Sequence, residues 1–269
     1  MKIFKSINKL NKQVDFKANI GFVPTMGALH KGHMSLIDSS KKKCKKTLVS
    51  IFVNPSQFNK KSDYRKYPRN LNKDLNILKK MKVDYVFVPK KREIYNNKKN
   101  MKIKISSRDK ILFSNHRKGH FEFVLAVINQ LLKVVKAKYM FLGNKDYQQV
   151  YLIKKFIKKK FNVKIISCKT VRDNSSLAYS SRTLNLSNNE KIKASILTKE
   201  LNMIFKQIKK NIKNLKKIKY LKDKFSKFGI KIEYLEIRNK FNLSKKFNRN
   251  NFKLFIAFYI NKVRLIDNF

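Results

Sequence analysis

The 269-residue chain has no tryptophan, only two cysteines, four prolines and six glycines, and very little acid. Cys44 and Cys168 are too few and too far apart for a disulfide framework or a zinc cluster, so a reducing compartment is expected. No stretch approaches the roughly 18 consecutive apolar residues of a membrane-spanning helix. The opening Met1-Lys2-Ile3-Phe4-Lys5-Ser6 lacks the apolar core and small-residue cleavage site of an export signal. A soluble cytoplasmic protein without membrane association is therefore expected. Against 16 Asp and Glu stand 66 Lys and Arg, for a formal net charge of +50. Such a balance ordinarily points to nucleic acid or an anionic membrane. Here the lysines are spread through expected helices and loops, together with heavy use of Asn, Ile and Phe. That pattern fits a compositional drift of the whole chain better than a binding patch. Nucleic acid is accordingly not the expected partner, and an RNA-binding role is an alternative carried by charge alone.

Residues 20 to 37 concentrate the chemistry. Ile20, Phe22 and Val23 suit a buried strand that Pro24 is expected to end, and Gly27 and Gly32 permit backbone geometry that a Cβ would block. His30 and His33 fall at the mouth of the next helix. Unpaired N–H groups and the positive dipole end make such a helix start suited to phosphate. Thr47 to Val53 reads as a strand buried on both faces, completing a βαβ unit. The Asn54-Pro55-Ser56-Gln57 turn then places Gln57 at the same end of the sheet. Leu71, Leu75 and Leu78 recur at helical spacing and are read as core. Asp84 to Pro89 is expected to be a strand, and Lys98 to Lys102 a solvated basic loop.

Further along, Val124, Val127, Ile128, Leu131, Leu132 and Val135 mark the buried face of a long helix. Tyr139 to Leu142 is expected to be a strand. Gly143-Asn144-Lys145-Asp146-Tyr147-Gln148-Gln149 follows, where Lys145 can neutralise phosphate, Asp146 can accept from ribose hydroxyls and Gln149 can serve a hydroxy acid. A capped helix start with Asp146 over the first turn is the plainer alternative. Val163 to Cys168, another strand, leads through Val171-Arg172-Asp173 to Tyr179-Ser180-Ser181-Arg182, whose hydroxyls and guanidinium suit phosphate. From Glu190 the composition shifts. Helical periodicity (Ile192, Ile196, Leu201, Ile204, Phe205, Ile208) precedes two strand-like runs, Ile230 to Ile237 and Phe252 to Ile260. The expected fold is α/β, a doubly wound parallel Rossmann-like sheet over residues 1–186, with a smaller α+β domain over 187–269.

The phrase from Pro24 to His33, with the blocks Val49 to Phe58, Gly119-His120-Phe121, Gly143 to Gln149 and Leu177 to Arg182, occurs in the order of, and resembles, the pantoate–β-alanine ligase family. His30-Lys31-Gly32-His33 also fits the wider HxGH nucleotidyltransferases, which leaves transfer of a nucleotidyl group to a phosphorylated acceptor as a second alternative. The family resemblance implies ATP-dependent joining of pantoate to β-alanine through a pantoyl adenylate, with Mg²⁺, on the route to coenzyme A. It implies a nucleotide loop Met26-Gly27-Ala28-Leu29-His30-Lys31-Gly32-His33, in which His33 and His30 are catalytic. Further ATP contacts would come from Gly143, Asn144, Lys145, Asp146, Val171, Tyr179, Ser180, Ser181 and Arg182. Pantoate would lie at Gln57 and Gln149, with β-alanine also near Gln57. No protein metal site is implied; the C-terminal domain would act as a lid, and the assembly would be a homodimer. Three departures from the family pattern stand out: Phe123 for a usual glycine, Asn144 for glutamate and Thr183 for asparagine.

A charge of +50 destabilises a compact chain by self-repulsion, which salt screens over about 8 Å at physiological strength. The melting temperature is expected to rise with added salt. Scanning calorimetry across an ionic-strength series checks this.

Overall fold

The computed structural model describes residues 1–58, 61–95, 103–158 and 160–269. The basic stretch from Lys98 to Lys102 lies outside them. Contacts gather the chain into two units, Met1–Lys169 and Thr170–Phe269.

The first unit runs β1 (Lys2–Phe4), α1 (Ile7–Gln13), β2 (Ile20–Thr25), α2 (Lys31–Lys43), β3 (Lys46–Ile51), α3 (Lys61–Lys66), α4 (Leu71–Lys80), β4 (Tyr85–Phe87), α5 (Lys91–Ile94), α6 (Phe113–His116), α7 (His120–Val134), β5 (Tyr139–Gly143), α8 (Tyr147–Ile157) and β6 (Lys164–Cys168). Its six strands pair in the order β1-β4-β3-β2-β5-β6, every pair parallel. The chain builds outward from β2 to β3 and β4, then returns to add β5 on β2's other flank. The order therefore reverses between β2 and β5, the position at which open parallel sheets of this kind bind ligands beyond the carboxyl ends of their strands. Phe22, Val23, Leu48, Val49, Met140 and Phe141 are all sealed from solvent. This explains why the central strands read as unbroken apolar runs without alternation.

Pro24 does not end β2, which continues to Thr25. The Thr25 carbonyl accepts from Phe52 N–H at 3.0 Å, so Thr25 and Val23 face β3 and Pro24 faces β5. The pairing of β5 with β2 covers only Gly21 and Phe22. The missing N–H of Pro24 therefore falls where the ladder has already stopped. On α4, Leu78 is buried but Leu71 is exposed, and the buried partner on the inner face is a carboxylate, Asp74. The apolar face read on α7 is buried throughout. Glu93 closes the start of α1 by accepting from Ile7 N–H at 2.9 Å.

The second unit packs α9 (Asn188–Lys210) and α10 (Lys217–Ser226) with an antiparallel sheet of β7 (Ile230–Asn239), β8 (Phe252–Ile260) and β9 (Val263–Asn268), in that order. Ser187 and Glu190 form a reciprocal capping box at the start of α9. Its buried face is Ala194, Leu197, Leu201, Ile204 and Ile208. Ile192 and Ile196 point outward, because each lies about a third of a helical turn off that stripe. Residues 170–186 group with this unit, so the expected boundary at 186 falls inside it. Arg172 shows why: its guanidinium donates twice to the buried Asp267 carboxylate of β9, at 2.6 and 2.9 Å, and again to the Asn268 carbonyl.

Gly21 sits where a Cβ would lie 2.1 Å from Ser40 Oγ and 2.9 Å from both Cys44 Sγ and Phe141 Cε2. Gly21→Ala is expected to destabilise the first unit by about 1–3 kcal/mol or more, through overpacking between α2 and β2. Urea unfolding measures it.

Candidate functional site

The loops after β2, β3 and β5 share one edge of the sheet, at the point where the strand order reverses. The loop after β2 turns sharply. Gly27 and Ala28 are consecutive left-handed residues, with φ of 75° and 50°. Glycine takes this conformation freely, whereas alanine does so at a cost of roughly 1–2 kcal/mol. The turn is held from within. Gly27 N–H donates to Thr25 Oγ1 (3.2 Å), Ala28 N–H to Asp74 Oδ2 (2.9 Å) and Leu29 N–H to Asp74 Oδ1 (2.8 Å). A Cβ on Gly27 would stand 2.9 Å from Asp74 Oδ2, so loop and carboxylate meet this closely only because residue 27 is glycine.

His30 then caps α2, its Nδ1 accepting from Gly32 N–H at 3.1 Å. An accepting Nδ1 leaves the proton of the neutral ring on Nε2. The rings of His30 and His33 stack with centroids 4.0 Å apart. His33 keeps part of its ring open, but its Nδ1 is sealed and has no hydrogen-bond partner among the described residues. Burial, and then the Lys145 ammonium, hold His30 down at about 4, with Asp146 opposing. Burial, His30 and Lys145 hold His33 at about 3. Both imidazoles are neutral at physiological pH, so they act as hydrogen-bonding groups and the fixed positive charge beside them belongs to Lys145.

In the loop before α2 the N–H groups of Gly27, Ala28 and Leu29 donate to protein acceptors, and within the first turn of α2 the Gly32 N–H is taken by His30.

Beyond β5, Asn144 to Asp146 form one turn of 3₁₀-helix leading into α8. Asp146 stands at the N-cap position of α8 but makes no capping bond with its side chain, and it is 45% exposed. A mere helix cap is therefore not its role. The paired glutamines divide their tasks. Gln148 is buried and stitches the 109–114 segment to α8, accepting from Phe113 N–H (3.2 Å) and donating to the Ile111 carbonyl (2.6 Å). Gln149 is half-buried. After β3, Asn54 accepts from Ser56 N–H through its side chain, an Asx turn with Pro55 at the first position. Asn54 also hydrogen-bonds through its side chain to Tyr95, whose hydroxyl burial pushes up to about 12, and Ser50 Oγ is buried nearby in β3. Gln57 is buried in this turn, and its carbonyl accepts from His120 Nδ1 at 2.8 Å. Phe123 lies against Gly119, its ring 3.5 Å from where a Cβ would sit.

Val171, Tyr179, Ser180, Ser181 and Arg182 belong to the second unit. Tyr179 N–H donates to the Val171 carbonyl (3.1 Å), and an isolated bridge pairs Arg172 with Ala178. Ser180 caps a short 3₁₀ turn, its Oγ accepting from Arg182 N–H at 3.2 Å, and Ser181 is buried. Thr183 Oγ1 donates to the Ser180 carbonyl at 2.6 Å, so the residue that departs from the family pattern is used to close this turn.

Sequence reasoning missed Asp74, the bond of His120 to the Gln57 carbonyl and the structural duty of Gln148. Asp74 carried one signal, an acid on the inner face of a helix whose Leu78 is one turn further on. Among the described residues no group of three or more His, Cys, Asp or Glu is placed to hold a metal ion. Nor is any helix among them long and apolar enough to cross a membrane.

A parallel doubly wound sheet with His-x-Gly-His opening the helix at its switch point defines a Rossmann-like α/β protein of the HxGH kind. The model of the pantoate-beta-alanine ligase family matches residues 2–269. The chain belongs to the pantoate–β-alanine ligase family. It is 41% identical, over 100% of its own length and 95% of the relative's, to a pantothenate synthetase of Francisella tularensis subsp. mediasiatica. It is similar to the crystal structure of a Francisella tularensis pantoate-beta-alanine ligase complexed with β-γ ATP and β-alanine (TM-score 0.86, 39% identity, covering 100% of this chain and 97% of that one). It is also similar to a pantothenate synthetase from Thermus thermophilus (TM-score 0.91, 27% identity, covering 100% and 99%).

Because the folded pKa values of His30 and His33 lie below the ordinary 6.5, the unfolded chain binds more protons than the folded one between about pH 6.5 and 3. Their contribution to stability is complete above pH 6.5 and is lost as pH falls through that window. His33→Gln is expected to shrink the drop in unfolding free energy between pH 7 and pH 4.5, as measured by urea titration at each pH.

Proposed function

We propose that this protein joins pantoate to β-alanine with ATP. The pantoate carboxylate attacks the α-phosphorus and expels pyrophosphate, giving pantoyl adenylate. The β-alanine amine then attacks the acyl carbon and expels AMP, yielding pantothenate. A carboxylate is a poor acyl donor, and adenylation supplies the leaving group. The observation that carries this reading is the stacked pair His30 and His33 beside Lys145, at the switch point of a chain matched to the family over residues 2–269.

The residues divide the work by their chemistry. His33 and His30, as neutral donors in a partly sealed site, stabilise charge developing on the α-phosphate. Lys145 balances the departing pyrophosphate, and the hydroxyls of Ser180 and Ser181 and the Arg182 guanidinium are the second unit's phosphate ligands. The loop from Met26 to Gly32, with Gly143, Asn144, Asp146, Val171 and Tyr179, accommodates the nucleotide. Gln57 and Gln149 orient pantoate, and Gln57 also borders β-alanine. Mg²⁺ would arrive on the triphosphate, since it characteristically keeps waters and binds substrate phosphates with few carboxylates. When bound, it supplies neutralisation of phosphate charge. On this reading the protein works in the cytoplasm on the route to coenzyme A, and it assembles as a homodimer.

Incubation with ATP, Mg²⁺, pantoate and β-alanine is expected to give pantothenate, AMP and pyrophosphate, with pyrophosphate release dependent on pantoate. Release without pantoate overturns the assignment. His33→Ala is expected to lower turnover about a hundredfold or more, since one preorganised donor contributes roughly 3 kcal/mol. Gln57→Ala is expected to raise the KM for pantoate with little change in kcat. Steady-state kinetics on the purified variants separates the two.

A further inference from the structure

We infer that Asp74 is the positioning residue of the nucleotide loop: its buried carboxylate holds the turn that sets the entry of α2 and thereby aims the His30 and His33 pair. The inference rests on the ATP-binding reading above. Asp74 is 3% exposed and lies one turn into α4, four residues after the capping Asn70. Both of its oxygens are used, one by Ala28 N–H and the other by Leu29 N–H. A bidentate acceptor for two successive amides fixes the orientation of that backbone as a single acceptor cannot. The need is visible in the dihedrals, since Ala28 is held left-handed against its intrinsic preference and Leu29 is the last residue before the His30 cap. Sequence separation underlines the point. Residues 28 and 29 are tied to residue 74 across β3, so the loop is set by tertiary structure and not by its own turn propensity.

The carboxylate also faces away from ligand chemistry. With both oxygens committed to loop amides and the side chain buried, Asp74 has no exposed oxygen to offer a nucleotide. Its effect on ATP must pass through the loop. Asparagine at this position keeps the size but replaces one acceptor with a donor, which opposes one of the two N–H groups.

The test compares wild type, Asp74→Asn and Leu78→Ala, the last removing a fully buried side chain of the same helix, from the cluster that also holds Leu29, while leaving both carboxylate bonds to the loop in place. Asp74→Asn is expected to raise the KM for ATP or lower kcat by roughly ten- to a hundredfold, the scale of losing a charged hydrogen bond and opposing a buried donor. The KM for pantoate should change less than about twofold, the size of a negligible free-energy difference. Leu78→Ala, although less stable, should keep the ATP KM of the wild type. Amide hydrogen exchange supplies an arm independent of turnover: Ala28 and Leu29 should be protected in nucleotide-free wild type and exchange faster in Asp74→Asn. Wild-type kinetics in Asp74→Asn, an equal ATP defect in Leu78→Ala, or unprotected Ala28 and Leu29 amides in the wild type would each overturn the inference. The exchange measurement on wild type decides even if Asp74→Asn does not fold. Failure of wild type to bind ATP would instead remove the functional reading, whatever the exchange shows.

Discussion

The first unit depends on a backbone that must pass through two left-handed residues between the end of β2 and the start of α2. Local preference does not hold it there. A threonine hydroxyl from the strand and a carboxylate from α4, beyond α2, β3 and α3 in the chain, supply the acceptors. With the turn set, α2 begins one residue after a histidine that caps its own helix, and the second histidine follows on the same face. The stack of the two rings, the sealed Nδ1 of His33 and the proximity of Lys145 are consequences of where that helix starts.

Electrostatics in this protein follows from scarcity. With 66 basic residues and 16 acidic ones, surface pairing cannot balance the charge, and exposed ion pairs would contribute little in any case. Several of the acids are placed where a charge-assisted bond to backbone or guanidinium matters structurally. Asp74 clamps a loop, Glu93 closes a helix start, and Glu190 completes a capping box. Asp84 accepts from Thr47 N–H, and Asp267 binds Arg172 twice in the second unit. Burial first, and then the one neighbouring Lys145 ammonium, keep the histidines neutral. The positive charge beside this pair of rings is thus carried by one lysine and not by the rings themselves.

Much of the first unit was legible because buried parallel strands leave an apolar run with few rivals. Ile20 to Val23, Thr47 to Val53 and Tyr139 to Leu142 announce themselves, as do the six apolar positions on α7. The misreadings share one cause, which is neighbours distant in sequence. Pro24 stays in its strand because β5 has stopped pairing by that row. Leu71 leaves the core while Asp74 enters it, because the turn after β2 needs acceptors on that side. Ile192 and Ile196 face outward because the sheet of the second unit meets α9 along Leu197, Leu201 and Ile204. The Gln148-Gln149 pair shows the limit most plainly: two identical side chains, one buried and spent on the 109–114 segment, the other half-buried.

The linear order of residues by itself determined the fold class and the motif-bearing loops, because helical and strand periodicities and short signatures such as His-x-Gly-His are local properties of a chain. Tertiary structure alone decided which amides are already bonded, which carboxylate is a clamp and how far the imidazoles are pushed toward neutrality. Those depend on burial and on distances between groups dozens of residues apart, and the pattern of one stretch does not encode what packs against it.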